Sequence, residues 1–329
     1  MIISKTPLRI SFVGGGTDLP SFYKYNDYGS VLSTTINSYL YVTVKEQNSL
    51  FEKYRLNYSE TELVNNISEI RNSIIRECIE YMNIKERLYI STIADAPSHT
   101  GLGSSSSFTV GLLCALYKFC NKKMNLKTLA KEAAHIEITR LNQSLGKQDH
   151  YAAVYGGLNI FKFDKNENVS IQRLNIKKEN LNTFYSSILM FWTGMTRSSE
   201  KILNNQQQNN KVNNSFLLEM REQVDHLGKL LESKKISLKD IGKLISNGWD
   251  FKKRLSPLIS NEKIDNVYKE AINSGAYGGK ILGAGGGGFL MLIVEPSSKK
   301  EILSKIESMG FKYYNFNFNF DGTRVLKIK

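Results

Sequence analysis

Leu88 to Ile93 is an apolar alternation that predicts a strand, and Phe108 to Cys120 is an apolar run at helical spacing. Between them the chain places Pro97-Ser98-His99-Thr100-Gly101-Leu102-Gly103-Ser104-Ser105-Ser106-Ser107. A strand must therefore turn on glycines straight into a helix whose first residues carry hydroxyls. Glycine adopts positive φ and lets a backbone come close to a ligand. The first N–H groups of a helix have no partners within it, and the helix dipole adds roughly half a positive charge at that end, so this junction suits a phosphate. Serines there can donate to phosphate oxygens or offer an oxygen to magnesium. A serine N-cap on a buried helix is the plainer reading, but four consecutive serines exceed what a cap needs.

The rest of the sequence bounds what such a site serves. A chain of 329 residues holds one large or two ordinary domains and buries about three quarters of its unfolded surface, so it needs no staples. Its three cysteines, Cys78, Cys114 and Cys120, have no metal-ligand spacing; this usage fits a reducing compartment, and a cytoplasmic protein is expected. The first residues enter a strand pattern at once, which reads as no signal peptide. The longest pure apolar run near the end, Phe289 to Val294, is too short to span a bilayer. A formal charge of +13 calls for an anionic partner. The lysines are scattered as short pairs, such as Lys122-Lys123, Lys177-Lys178 and Lys252-Lys253, which read as solvated faces. That pattern favours a phosphorylated small molecule over nucleic acid, which stays as a rival.

In order, residues 2–13 predict a strand that carries Arg9 and runs into Gly14-Gly15-Gly16-Thr17-Asp18, either a ligand-wrapping turn or a hairpin turn with a capping Asp. One or two strands are expected over 30–45, helices over 68–81 and 126–141, and strands over 158–163 and 169–174. Asp149 falls in a polar loop, and residues 175–182 read as a linker, which suggests domains of 1–180 and 181–329. A strand over 187–192 follows. The patch Asn204-Asn205-Gln206-Gln207-Gln208-Asn209-Asn210 reads as a mobile loop or solvated helix end. Helices are expected over 216–233, 237–255, 262–274 and 299–309, with a last strand over 312–320.

Gly283-Ala284-Gly285-Gly286-Gly287-Gly288 matches G-x-G-x-x-G in letters, but it feeds a strand where a dinucleotide site needs a helix. The Walker pattern is absent as well. Phosphoryl transfer needs backbone donors, a metal on the phosphates, a positive group and a residue that orients or deprotonates the acceptor. Ser105 with Glu137 offers oxygens to magnesium, Asp149 is a candidate base and Arg9 a candidate cation near the transferred group. Each also has an ordinary reading: a surface carboxylate, a helix cap, a salt-bridge partner.

The ordered trio Thr6-Pro7-Leu8-Arg9-Ile10-Ser11-Phe12-Val13-Gly14-Gly15-Gly16-Thr17-Asp18, Pro97 to Ser105 and Lys280 to Phe289 resembles the GHMP kinases over nearly the whole chain. The resemblance implies an α+β fold of two domains, the first like ribosomal protein S5 domain 2 and the second ferredoxin-like, with the site between them. It implies ATP bound by Pro97, Gly101, Leu102, Gly103, Ser104, Ser105 and Ser106, and Mg2+ held by Ser105 and Glu137. Asp149 matches the catalytic aspartate and Arg9 the basic residue beside the transferred phosphate. Asp18, with Gly15, Gly16 and Thr17, matches the sugar-binding turn, and Gly286 and Gly287 fall in the motif that closes the cleft floor. Galactokinases carry Glu and His where this chain has Gly15 and Gly16, which disfavours galactose. The first motif most resembles that of family members acting on D-glycero-D-manno-heptose 7-phosphate at its anomeric hydroxyl, to give the 1,7-bisphosphate for nucleotide-activated heptose and surface polysaccharide. Arg197 is the candidate contact for the 7-phosphate. A fucokinase-like sugar 1-kinase is the alternative within the family.

Overall fold

A computed structural model describes residues 1–97, 100–196, 199–208 and 213–326. Its first half holds strands β1 (Ile2–Val13), β2 (Tyr28–Glu46), β3 (Tyr54–Asn57), β4 (Thr61–Val64), β5 (Leu88–Ala94), β6 (Asn159–Asp164) and β7 (Val169–Arg173). The helices of that half are α1 (Pro20–Tyr23), α2 (Ser73–Tyr81), α3 (Ser104–Phe119), α4 (Leu126–His135) and α5 (Gln148–Tyr155). The second half has helices α6 (Lys178–Ser186), α7 (Ser199–Gln208), α8 (Asn214–Glu232), α9 (Leu238–Leu255), α10 (Glu262–Asn273) and α11 (Lys299–Ser308). Its strands are β8 (Ile188–Trp192), β9 (Gly278–Ile281), β10 (Phe289–Ile293), β11 (Lys312–Tyr313), β12 (Phe318–Asn319) and β13 (Arg324–Leu326).

The β-branched and aromatic run expected as one or two strands forms a single one. β2 is long enough to pair β6 along its first part and β5 along its last, both antiparallel. With β1 beside it and β13 at the edge, it anchors a nine-stranded mixed sheet. A second, four-stranded antiparallel sheet runs β11-β8-β10-β9. The β1–β2 register shifts between Pro7 and Arg9 and again between Ser11 and Val13. Such irregularities bend a strand and re-aim its side chains; here they turn Arg9 and Ser11 toward a cavity between the halves.

α3 is apolar nearly all round, which suits a helix buried on every side. Val110, Leu112, Leu113, Ala115 and Leu116 are all fully buried. Truncating one of these leucines to alanine costs about 2–5 kcal/mol. Gly111 permits the close approach to β1, because a Cβ there would lie 2.7 Å from Thr6 Oγ1. The hydroxyl of Ser4 donates to Gly111 O at 2.7 Å across the same contact.

Several expectations need correcting. Residues 178–182, read as linker, begin α6, where Asn180 is buried and donates to Ser233 O. The strand expected over 312–320 is two short ones, β11 and β12, with β13 beyond it; β12 and β13 return to pair β2 and β1, so they belong to the first sheet although the sequence reading gave residues 181–329 to the second domain. The helix over 126–141 is α-helical only to His135 and continues as a π-helical turn, Ile136–Arg140. The extra residue in that turn rotates the helix face and buries Glu137 completely. The glutamine-rich patch continues α7 as far as Gln208; Ile202 and Gln206, four residues apart, both face inward.

Candidate active site

One cavity of about 890 Å³ lies between the two halves of the molecule. One end is the start of α3. Gly103 sits at the N-cap with φ +77°, and no side chain caps the helix, so its first backbone N–H groups are left for a ligand. Pro97, Gly101, Gly103, Ser104, Ser105 and Ser106 all line this end. Leu102 does not: it is buried, and its carbonyl accepts the Arg9 N–H at 3.0 Å. Ser107 spends its hydroxyl on Pro7 O at 2.9 Å, tying α3 to β1, so the fourth serine of the run is structural.

Behind Ser105 lies a buried polar chain. The Ser105 hydroxyl donates to Glu137 Oε1, and Glu137 Oε2 is 2.6 Å from His150 Nε2. Burial would raise the Glu137 carboxyl, but the charge and hydrogen bond of His150 and the hydroxyls of Ser105 and Ser106 outweigh it and hold the group below its usual range. Glu137 therefore stays anionic. It does not line the cavity itself; it stands one layer back, reaching the cavity through Ser105. An anionic carboxylate beside a hydroxyl is the hard-oxygen donor pair that suits magnesium held jointly with phosphates.

Beside the start of α3, on the wall of the same cavity, Arg9 and Asp149 form a bidentate pair, Nε to Oδ1 at 2.7 Å and Nη2 to Oδ2 at 2.6 Å. Asp149 is not in a loop, as the sequence suggests, but in the first turn of α5, where the N-terminal dipole favours a carboxylate. Arg9 also donates from Nη1 to Gly101 O at 2.5 Å, so the pair is fastened to the turn that precedes α3. A Cβ at Gly103 would lie 3.3 Å from both Arg9 Cγ and Asp149 Oδ2, which measures how tightly the pair abuts the helix start.

Asp18 accepts N–H bonds from Gly16 at 3.0 Å and Gln148 at 3.2 Å. Burial, and then the charge of Asp149, push its carboxyl above the usual value. Gly15, Gly16 and Asp18 line the cavity, whereas Thr17 is buried beneath them with its hydroxyl on Gly14 O and Ser30 O. Gly286 and Gly287 are not among the lining residues. The Gly286 N–H donates to Ile259 O at 2.6 Å, and a Cβ at position 287 would lie 2.8 Å from Met195 O. Gly283 and Ala284 line the cavity instead. Arg197 lies outside the described residues.

Sequence reasoning missed two lysines. Lys252, read as part of a solvated pair, is 5% exposed and lines the cavity, with its ammonium on Gly283 O. Burial, and then the neighbouring Arg9, lower it to about 8. Lys280 is as deeply buried; it donates to Ser11 O and Phe12 O at 3.1 Å each. Among the described residues neither ammonium is within ion-pair distance of a carboxylate. The only available signal was position: Lys280 opens the third glycine motif, and Lys252 falls on the apolar face of α9.

Residues 70–157 match the sequence model described as the GHMP kinases N terminal domain, and residues 229–312 the one described as GHMP kinases C terminal. Together these spans cover more than half of the chain. The D-glycero-alpha-D-manno-heptose 7-phosphate kinase of Campylobacter jejuni is 29% identical, over 99% of each chain. Among solved structures, a D-glycero-D-manno-heptose 1-phosphate kinase from Bacteriodes thetaiotaomicron superposes with a TM-score of 0.82 at 25% identity, covering 100% of both chains. A putative sugar kinase from Campylobacter jejuni gives 0.73 at 26% identity, over 99% of this chain and 98% of that one.

Proposed function

The chain belongs to the GHMP kinases, ATP-dependent phosphotransferases, and we propose that it moves the γ-phosphoryl of ATP onto the anomeric hydroxyl of D-glycero-D-manno-heptose 7-phosphate, giving the 1,7-bisphosphate. The observation that carries this reading is a cavity lined both by the uncapped start of α3 and by the Arg9–Asp149 pair fastened beside it. The N–H groups and hydroxyls of Ser104, Ser105 and Ser106 receive the ATP phosphates. Ser105 and Glu137 are the residues that hold Mg2+, which when bound offsets phosphate charge. Asp149, held in place by Arg9, orients the acceptor hydroxyl and takes its proton. Arg9, released in part from that pair as the proton arrives, faces the charge that develops on the transferred group.

The phosphate on the substrate is supported by Lys252 and Lys280. A buried ammonium without a carboxylate is costly unless an anion joins it; Lys252 is in that position, and burial with the charges of Lys252 and Arg9 lowers Lys280 well below the usual lysine range, a shift that a bound anion would oppose. The Campylobacter relative, similar over its full length, is named for a heptose 7-phosphate. The product would feed synthesis of nucleotide-activated heptose. The reading is of a cytoplasmic enzyme; three free cysteines support it, and no helix among the described residues is long and apolar enough to cross a membrane.

A panel of acceptors tests the reading, with ATP consumption as the readout: heptose 7-phosphate, heptose 1-phosphate, unphosphorylated heptose, fucose and galactose. Heptose 7-phosphate is expected to give the highest kcat/KM. Preference for an unphosphorylated sugar, as a fucokinase-like enzyme would show, overturns the substrate. Turnover of heptose 1-phosphate in its place moves the accepting hydroxyl to the other end of the sugar.

A further inference from the structure

α7 presents Ser199, Leu203 and Gln206 to the cavity from one face, at spacings of four and three residues. Gln206 comes from the glutamine-rich patch, yet it is only 1% exposed. Its Nε2 has no hydrogen-bond partner. Two more polar atoms on the cavity wall share that condition: Ser11 Oγ, on the irregular part of β1, and Gln148 Oε1, next to the catalytic aspartate. All three border the Gly15–Gly16 turn. A Cβ at Gly15 would lie 3.6 Å from Ser11 Oγ and 3.8 Å from Gln148 Nε2, and one at Gly16 would lie 2.7 Å from Gln206 Nε2. The absence of side chains at 15 and 16 thus lets the three side chains gather around this turn at the cavity wall.

A buried polar atom left without a partner costs about 1–3 kcal/mol, so three around one turn point to a ligand that completes them. The chemistry of the trio is mixed. An amide N–H only donates, an amide oxygen only accepts, and a hydroxyl does both. Vicinal sugar hydroxyls, each donor and acceptor at once, answer that set; a phosphate, which only accepts, does not. We propose that Gln206, with Ser11 and Gln148, forms the subsite that reads the sugar's ring hydroxyls, and that Gln206 is a specificity-determining residue. The inference rests on the reading of this cavity as a sugar-kinase site. It gives part of the glutamine-rich patch a binding role.

The test uses the full-length enzyme with the sugar that the wild type prefers and its monodeoxy analogues. Gln206→Met keeps length and burial but removes the donor; it should raise KM for the sugar about three- to tenfold and leave KM for ATP unchanged. Ser11→Ala should do the same on a smaller scale. One deoxy analogue should lose affinity with the wild type but lose nothing further with Gln206→Met, because the partner is already gone. Gln206→Glu, which cannot donate, should not rescue. Equal penalties on the parent sugar and every deoxy analogue would assign Gln206 a structural role and overturn the proposal, as would an unchanged sugar KM. The wild-type panel judges the reaction separately: should another sugar be preferred, that reading falls while the Gln206 comparison proceeds on the preferred sugar.

Discussion

Two glycine-rich turns touch each other in this molecule and do opposite work. The turn at Gly101–Gly103 opens α3 and lines the cavity, whereas the turn at Gly283–Gly288 feeds β10, packs against the first at its two ends and reaches the cavity only through Gly283 and Ala284. A Cβ at Gly283 would lie 2.5 Å from Gly101 Cα, and one at Gly288 would lie 2.3 Å from Thr100 O. Backbone rests on backbone there, at positive φ on both sides. Similar composition therefore serves two ends. The first turn exposes helix N–H groups to a ligand, and the second holds the first in place from the other half of the chain. Glycine content alone does not say which turn is which; what decides is whether a helix or a strand follows.

If this contrast holds, changes around the first turn alter chemistry, and changes in the second alter stability. The largest expected effect is at Asp149, where Asp149→Ala should lower kcat by roughly 10²–10⁴ and, by leaving the buried Arg9 without its partner, also lower the urea midpoint. Unchanged turnover in the folded variant removes Asp149 as the base. Next is the polar chain behind the serines. His150→Phe takes a hydrogen bond from Glu137; the concentration of Mg2+ giving half-maximal rate should rise about 10–100-fold. An unaltered Mg2+ titration would detach Glu137 from the metal.

A smaller effect comes from Lys252, whose ammonium is lost as pH rises through about 8. Binding of a phosphorylated sugar needs the charged form, so its KM should climb above that pH, by at most about tenfold per unit. Lys252→Arg, which stays charged, should flatten the profile. The stability effect has the opposite sign. The unfolded chain keeps a proton that the folded chain has lost between about 8 and the ordinary 10.5, so this group adds stability as pH rises through that window. The smallest effect on catalysis belongs to the second turn. Gly283→Ala, at φ +71° and against Gly101, should cost about 1–3 kcal/mol of stability in urea unfolding and raise KM for ATP only modestly. Gly287→Ala should destabilise without changing KM for the sugar. A raised sugar KM at intact stability would return that turn to the substrate site.

What the sequence determined by itself is local. The longer strands and helices, the strand–turn–helix junction at α3 and the wrong context of the third turn for a dinucleotide follow from spacing and residue type within a dozen positions; α5, the start of α6 and the short β3 and β4 do not. Asp18 and the serines stand out for that reason, each in or beside a turn of unusual composition, whereas Arg9 and Asp149 stand out through the resemblance of the ordered motifs. Only the tertiary structure decided which buried faces meet. Lys252 looks like any solvated lysine until α9 packs against the third turn, and Gln206 like any low-complexity glutamine until α7 lies over Gly16. Glu137 stands one layer behind Ser105 because a π-helical turn rotates it there, and the last strands leave the second sheet to close the first. Periodicity tells a chain which face of an element is inward, but the partner on the other side of that face comes from residues beyond the reach of any local pattern, as Gly283 does for Lys252 and Gly16 for Gln206.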